Sequence, residues 1–411
     1  MAAAEISNGN FSESCSITKT LKPLGTAPLD EDTIAHYVLP LFSCILKRDV
    51  KETYLANHSL GRPLDATIND LAEGMNAWYT HLDEAWDPWW KEMDAWRAAT
   101  ANLLNASRAD CIVPKTSAGQ GLRSVLNSFG TPPRVLTTTG EFDSLDHILK
   151  QYATTNHATV TWVAAREDGC FYVNDLIDKL NDVDLVVVSH VFFATGQILA
   201  DLPQLISATH QVNAYILLDV YHSYGVLPLD VTALDIDFAV AGSYKYLRGG
   251  PGACWLYVSP KILMTERTTR DTGWFAKKDP FSYHRAIPPI LADGGNRWLE
   301  STFNPLSFYQ ARAGLTFVTT IGVSRLRAWS LKQKRFIAEA LRRNGVFCRG
   351  EGEEYGAFLI VSHKNSSDFV TRLKTAGVNV DARNEGVRLT PDILNTETQL
   401  TRAVEIIAEL F

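Results

Sequence analysis

Tyr215-Ile216-Leu217-Leu218-Asp219-Val220-Tyr221-His222 and Phe238-Ala239-Val240-Ala241-Gly242-Ser243-Tyr244-Lys245 are two short apolar runs, each closing on polar residues. Their length and composition fit buried strands. Asp219 ends the first, with His222 three residues on, and Ser243-Tyr244-Lys245 ends the second, 26 residues after Asp219. In α/β sheets ligands gather outside the carboxyl ends of the strands, so these polar residues stand where a site forms.

The same pattern runs outward through the middle of the chain. Residues 135–139, 159–163 and 185–189 read as further strands, separated by 144–152, 173–180 and 202–209, whose apolar residues recur at helical spacing. This alternation predicts an α/β fold with a mostly parallel central sheet covered by helices. Residues 253–258 read as a returning strand, and the polar, Gly- and Pro-containing stretch to Asn304 as loops around a site. Beyond it, 305–341 has a long helical pattern, and 358–362, 366–376 and 387–390 read as strand, helix and strand, a small α+β unit. The expected organisation is an N-terminal arm over 1–50, a large domain over 51–304 and a small C-terminal domain over 305–411. The first 30 residues are polar and loosely patterned, and no internal repeat is present.

Apolar residues make up 46% of the 411 and charged residues 21%, the balance of a chain that folds. A net charge of −7 without any basic block argues against a nucleic-acid ligand, whose phosphates need a concentrated positive field. The six cysteines, at 15, 44, 111, 170, 254 and 348, have no CxxC spacing, so neither a zinc knuckle nor a disulfide framework is expected, and a reduced, cytoplasmic setting fits. The polar N-terminus lacks the apolar core of a secretory signal. The apolar stretch 37–46 is about half a membrane span and holds Pro40, so it is expected to pack as an arm.

Asp219 and Lys245 suit one chemistry if they share a crevice. A strand-end carboxylate forms a charge-assisted bond to a protonated pyridine nitrogen, and a lysine with a depressed pKa links to an aldehyde and moves a proton at Cα. Those are the needs of pyridoxal 5′-phosphate. Leu247-Arg248-Gly249-Gly250-Pro251-Gly252 follows, a glycine-rich turn that approaches a ligand closely. Upstream, Lys115-Thr116-Ser117-Ala118-Gly119-Gln120 lies between the run Cys111-Ile112-Val113-Pro114 and the helical 121–126, and small hydroxyl residues at a helix start make a cup for phosphate. Each feature also has a plain structural reading: Asp219 as a helix cap, Lys245 as a solvated loop cation, Ser117 as an N-cap without a ligand. Neither GxxxxGK[ST] nor a GxGxxG after a strand is present, so a P-loop, nicotinamide or flavin site lacks support.

Taken with Asn57-His58-Ser59-Leu60-Gly61, Phe142, Thr272-Gly273-Trp274-Phe275, Phe303-Asn304-Pro305 and Gly386-Val387-Arg388-Leu389, these segments resemble the kynureninase family, within the class V aminotransferase-like enzymes of fold type I. The likeness extends over nearly the whole chain beyond the arm. It implies pyridoxal 5′-phosphate on Lys245, with Asp219 at the pyridine nitrogen, Phe142 stacked on the ring, and Tyr244 in the catalytic set. It also implies Thr116, Ser117, Tyr244 and Trp274 around the phosphate, and His222 and Ser189 near the ring and its 3′-oxygen. For the substrate, a small amino acid, it implies Arg388 as a bidentate partner of the α-carboxylate, Asn304 on the side-chain carbonyl or aryl group, and Ser59 and His81 nearby. Without the likeness, Arg388 reads equally as an ion pair. Trp274 and Asn304 would come from a second subunit, so a homodimer with shared sites is expected, with no nucleic acid or membrane as partner.

The chain departs from the family where the substrate side is built. Phe142-Asp143-Ser144-Leu145-Asp146 stands where the family has Phe-Pro-Ser/Thr-Asp, so either Asp143 or Asp146 takes the family position. Phe303 stands where the family has a small residue, which would narrow or reshape the aryl pocket, and an insertion in Trp86-Asp87-Pro88-Trp89 disturbs the match of His81. Trp86, Trp89, Trp90 and Trp96 are expected to be core or dimer interface rather than a substrate wall. The expected reaction is kynureninase-like hydrolytic Cβ–Cγ cleavage. The alternatives are transamination, β-elimination, racemisation or oxygen-dependent decarboxylating deamination on the same scaffold, and a catalytically silent cofactor-binding protein. Cysteine desulfuration is disfavoured because Val346-Phe347-Cys348 reads as buried strand.

Overall fold

Seven strands form the centre of this computed structural model, which describes residues 13–47 and 52–411. They are β1 (Ile112–Lys115), β2 (Arg134–Thr138), β3 (Thr159–Val163), β4 (Leu185–Ser189), β5 (Tyr215–Asp219), β6 (Phe238–Gly242) and β7 (Cys254–Val258). Across the sheet they run β1-β7-β6-β5-β4-β2-β3. β7 pairs antiparallel with β1 and β6, and all other pairs are parallel. The protein thus has the mostly parallel, helix-covered sheet that the alternation implied. β4, β6 and β7 are buried at every residue, as strands covered on both faces must be. Register sets Ser189 beside Asp219 and Asp219 beside Val240, so the carboxyl ends of β4, β5 and β6 open onto one crevice.

The helical pattern over 305–341 is in fact two helices, Leu306–Ile321 and Val323–Arg343. Gly322 breaks it at φ 92°, a backbone conformation that glycine takes without strain. The first helix packs on helices Ala66–His81 and Trp86–Leu103 of the large unit. The cores divide inside the second: Trp329 joins the core around the large sheet, whereas Ile337 joins a smaller one. The pattern change at 304–305 therefore precedes the change of core. The smaller core gathers Leu55, strands Leu359–Val361 and Gly386–Leu389, and helices Ser366–Thr375 and Glu397–Leu410. Val346-Phe347-Cys348 is not the buried strand expected; it is irregular, with Phe347 exposed and Cys348 half-buried.

Residues 37–46 form short helical turns that bury Val38 and Phe42, and the Phe42 ring meets Phe317 edge-on at 5.2 Å. Residues 1–12 of the polar segment and 48–51 at the arm boundary lie outside the described residues. Among the described residues no helix is long and apolar enough to cross a membrane.

Candidate active site

The crevice at the strand ends is a cavity of about 140 Å³. Asp219, His222, Tyr244 and Lys245 line it from the ends of β5 and β6, facing Thr116, Ser117, Phe142 and Ser189 from the other elements around it. Asp219 Oδ1 accepts a bond from the Tyr221 amide at 2.8 Å, and Lys245 Nζ lies 2.8 Å from His222 Nε2. Nζ also sits 4.8 Å from the Tyr221 ring centre and 5.5 Å from that of Phe142. The Gly61 amide donates to the Tyr244 carbonyl at 2.8 Å, and a Cβ on Gly61 would come within 2.0 Å of the Lys245 carbonyl oxygen. Only glycine lets this segment press on the turn that carries the lysine.

Burial sets the electrostatics. It raises the Asp219 carboxyl, while the Tyr221 amide and the Lys245 charge pull the other way. It lowers the Lys245 ammonium, with Asp219 opposing and Arg388 adding to the fall. His222 is pushed well below the usual imidazole range, first by burial and then by the charges of Lys245 and Arg388. In the neutral tautomer that carries its proton on Nδ1, the imidazole accepts a hydrogen bond from Nζ at Nε2.

Helix Ala118–Leu126 starts at the cavity wall, with Ser117 as N-cap accepting from the Gln120 amide at 3.1 Å. Its first-turn amides have no carbonyl partner within the helix, and its dipole favours an anion there. Lys115 turns away, and its Nζ bonds the Trp298 carbonyl and Glu300, each at 3.1 Å. A carboxylate for a ring nitrogen, a lysine with lowered pKa, an aromatic face and a helix N-terminus thus converge on one cavity. These residues fit pyridoxal 5′-phosphate.

The substrate-side residues fare differently. Trp274, Asn304, Ser59 and His81 do not line the cavity of their own chain. Trp274 Nε1 donates to Thr302 at 3.2 Å, Asn304 is exposed and caps Leu306 at 3.1 Å, and Ser59 and His81 are exposed. Arg388 is buried, but its fork is already filled: Nε and Nη2 bond the two oxygens of Asp381 at 2.8 and 2.5 Å, and Nη1 bonds the Phe193 carbonyl at 2.8 Å. Neither Asp143 nor Asp146 reaches the cavity; Ser144 does, whereas Asp143 is exposed and Asp146 pairs with Lys150. Phe303 joins a ring cluster with Trp86 and Trp90, at 6.0 and 5.2 Å, and Trp96 is buried in the core.

Two features escaped the sequence reading. His58, rather than Ser59, is the buried member of its segment, with Nε2 2.5 Å from Asp381. Asp381 faces Arg388 across an antiparallel hairpin, so an acidic residue paired in register with the arginine was the available signal. Glu141, next to Phe142, is the second.

The class-V aminotransferase family model matches residues 80–403, and the chain belongs to that family. Its fold is that of the type I pyridoxal phosphate enzymes, and its cofactor is pyridoxal 5′-phosphate. The kynureninases of Bacillus cereus (strain ATCC 14579) and Bacillus anthracis are 26% and 27% identical over 379 residues, covering 87% of this chain and 88% of each relative. An uncharacterised aminotransferase of Bacillus subtilis (strain 168) is 25% identical over 357 residues, covering 85% of this chain and 91% of its own. Among solved structures, a C-DES mutant with glycine covalently linked to its PLP cofactor superposes with a TM-score of 0.78 at 17% identity, covering 90% of this chain and 98% of that one. An apo cysteine desulfurase from Thermococcus onnurineus NA1 gives 0.75 at 17% identity, with the same coverage.

Proposed function

We propose that this chain is an enzyme acting on a small L-amino acid by kynureninase-like hydrolytic cleavage of the Cβ–Cγ bond. The observation that carries the reading is Lys245, its amine lowered by burial and bonded to a neutral His222, beside the buried Asp219. The choice of bond is supported by the likeness to kynureninases along most of both chains. When bound, the cofactor supplies an electron sink for charge developing at Cα. Lys245 takes up the Cα proton, and its lowered pKa keeps neutral amine available for that work. With His222 in the tautomer that leaves Nε2 unprotonated, the amine donates to it and keeps its lone pair free. Asp219 keeps a ring nitrogen protonated, and Thr116, Ser117 and Tyr244 hold the phosphate.

Arg388 is assigned to the α-carboxylate, which then exchanges places with Asp381. Arg383 stands 3.3 Å from Asp381 and remains its partner. Trp274 and Asn304 are assigned to the cavity of a second subunit in a homodimer. In support, Trp274 adjoins a surface of ring contacts through Phe281 and Tyr283, and Tyr283 is 71% exposed. A lone soluble chain seldom leaves such a patch open.

Incubating the holoenzyme with L-kynurenine and a panel of small L-amino acids, with and without oxygen, tests the reading. Alanine and an aryl acid, formed from kynurenine without oxygen, are expected. Amino transfer to a keto acid would select transamination instead, the reading that the Bacillus subtilis relative favours. Elimination, racemisation and oxidative deamination each leave their own product, and no turnover of any substrate would leave a silent cofactor-binding protein.

A further inference from the structure

Glu141 is a buried carboxyl group with no part in the scheme above. It follows β2, is 3% exposed, and takes two side-chain hydrogen bonds of 2.6 Å: Thr138 Oγ1 donates to Oε1, and Ser189 Oγ donates to Oε2. The two hydroxyls are not equivalent. Thr138 is fully buried and its Oγ1 already accepts from the Gly140 amide at 3.2 Å, so its proton is committed to Glu141. Ser189 lines the cavity, so its proton has a second direction to take. A proton on Glu141 therefore sits on Oε2 and reverses that bond: Glu141 donates to Ser189, and Ser189 turns its own proton into the cavity.

What Ser189 meets there follows from the sheet order. Pyridoxal phosphate carries its phosphate arm and its ring hydroxyl on opposite sides of the line from ring nitrogen to aldehyde carbon. With the nitrogen at Asp219 and the aldehyde at Lys245, the phosphate would go to helix Ala118–Leu126, which follows β1 on the β6–β7 side of β5. The ring hydroxyl would then face β4, where Ser189 stands beside Asp219 in register.

We propose that Glu141 is a positioning residue that decides, through Ser189, whether the protein donates a hydrogen bond to the ring oxygen of the cofactor or only accepts one. This rests on the cofactor and its placement, not on the kynurenine reaction. Burial pushes Glu141 up to about 7, with the Ser189 and Thr138 hydroxyls opposing and Asp219 adding to the rise. The groups facing it are Thr138 from β2, Ser189 from β4 and Asp219 from β5, with Lys245 beyond Asp219. Because the carboxyl pKa is raised, Glu141 is protonated below about 7 and ionised above it. Ser189 thus donates to the ring oxygen on the acid side and turns back to Glu141 on the alkaline side.

Absorbance titration of the holoenzyme reads the proton affinity of the Lys245-linked chromophore without any turnover. In Glu141→Gln the amide oxygen keeps the Thr138 bond, while the amide NH₂ donates to Ser189 and locks it as a donor into the cavity. The chromophore pKa is then expected to fall by about one unit, since a donor to the ring oxygen stabilises the deprotonated form. In a Ser189→Ala background the same substitution is expected to shift it by less than half as much. No shift in Glu141→Gln, or a full shift without the serine, would overturn the proposal. Because the measurement uses no kynurenine, failure of the substrate reading leaves this result standing.

Discussion

Asp381→Asn separates two roles for Arg388. A substrate carboxylate reaches that fork only by displacing Asp381, so its net gain is the difference between two similar sets of charge-assisted bonds. Bonds to charged groups are each worth about 1.5–3 kcal/mol. His58 and Arg383 keep partners for the displaced carboxylate, so the exchange costs roughly one such bond, or about 10- to 100-fold in affinity. Asparagine keeps the shape and drops the charge. Binding of L-alanine to the holoenzyme is therefore expected to tighten by that factor, while the ligand-free protein loses stability because a buried guanidinium has lost its charged partner. Calorimetric titration with L-alanine and with alaninamide at one pH measures the affinities, and a thermal melt of the ligand-free protein the stability; the amide, which lacks the carboxylate, is expected to bind as before. Alanine binding that is unchanged or weaker, or an equal change for both ligands, would refute the exchange and make Arg388 a fixed ion pair.

Lys245→Ala is expected to lose the visible absorbance of a lysine-linked cofactor; a retained band would place the link on another lysine. Asp219→Ala is expected to fold and to lose on the order of 100-fold or more in kcat/KM, the scale of removing one preorganised electrostatic partner. Near-normal turnover would mean that the ring nitrogen needs no carboxylate. Mixing Lys245→Ala with Trp274→Ala chains is expected to restore activity that neither homodimer has, because one shared site is then intact. If no activity returns although mixed dimers form, Trp274 serves its own chain.

The place of the cavity was legible in the sequence because it lies at strand ends. A five-residue apolar run fixes its last residue to within about one position, so Asp219 and the turn that carries Lys245 follow from two such runs, whereas Ser189, which also closes a strand, is singled out only by the resemblance. A helix start behind a strand announced Thr116 and Ser117 in the same way. Pairings made across the chain gave no such local signal. Asp381 lies hundreds of residues from His58, and Glu141 reaches Ser189 only because β2 and β4 are neighbours in the sheet. Phe303 illustrates a further gap: its size was readable, but its packing with Trp86 and Trp90 depends on a helix distant in sequence.

The likeness in fold to a cysteine desulfurase leaves open whether a thiol takes part in this chain's chemistry. A nucleophilic cysteine needs an accessible thiolate near the lysine, usually in an electropositive setting. Cys254 lies in the cavity wall, but it is buried, its thiol is raised by that burial, and its Sγ is 3.4 Å from the Tyr221 hydroxyl. Burial pushes Cys348 up to about 11 and Cys111 up to about 12, and it raises Cys170 as well. Cys44 is exposed but sits on the arm, where its amide bonds Asp65 at 2.9 Å. Each of the four perturbed thiols is therefore protonated near neutral pH, and Cys44 does not line the cavity. Among the described cysteines, sulfur transfer would thus require either one of these four to lose a proton that its surroundings hold or Cys44 to leave the arm. The hydrolytic reading proposed for this cavity draws its nucleophile from water and asks none of these cysteines to move, so it is compatible with the buried Cys254 in the wall.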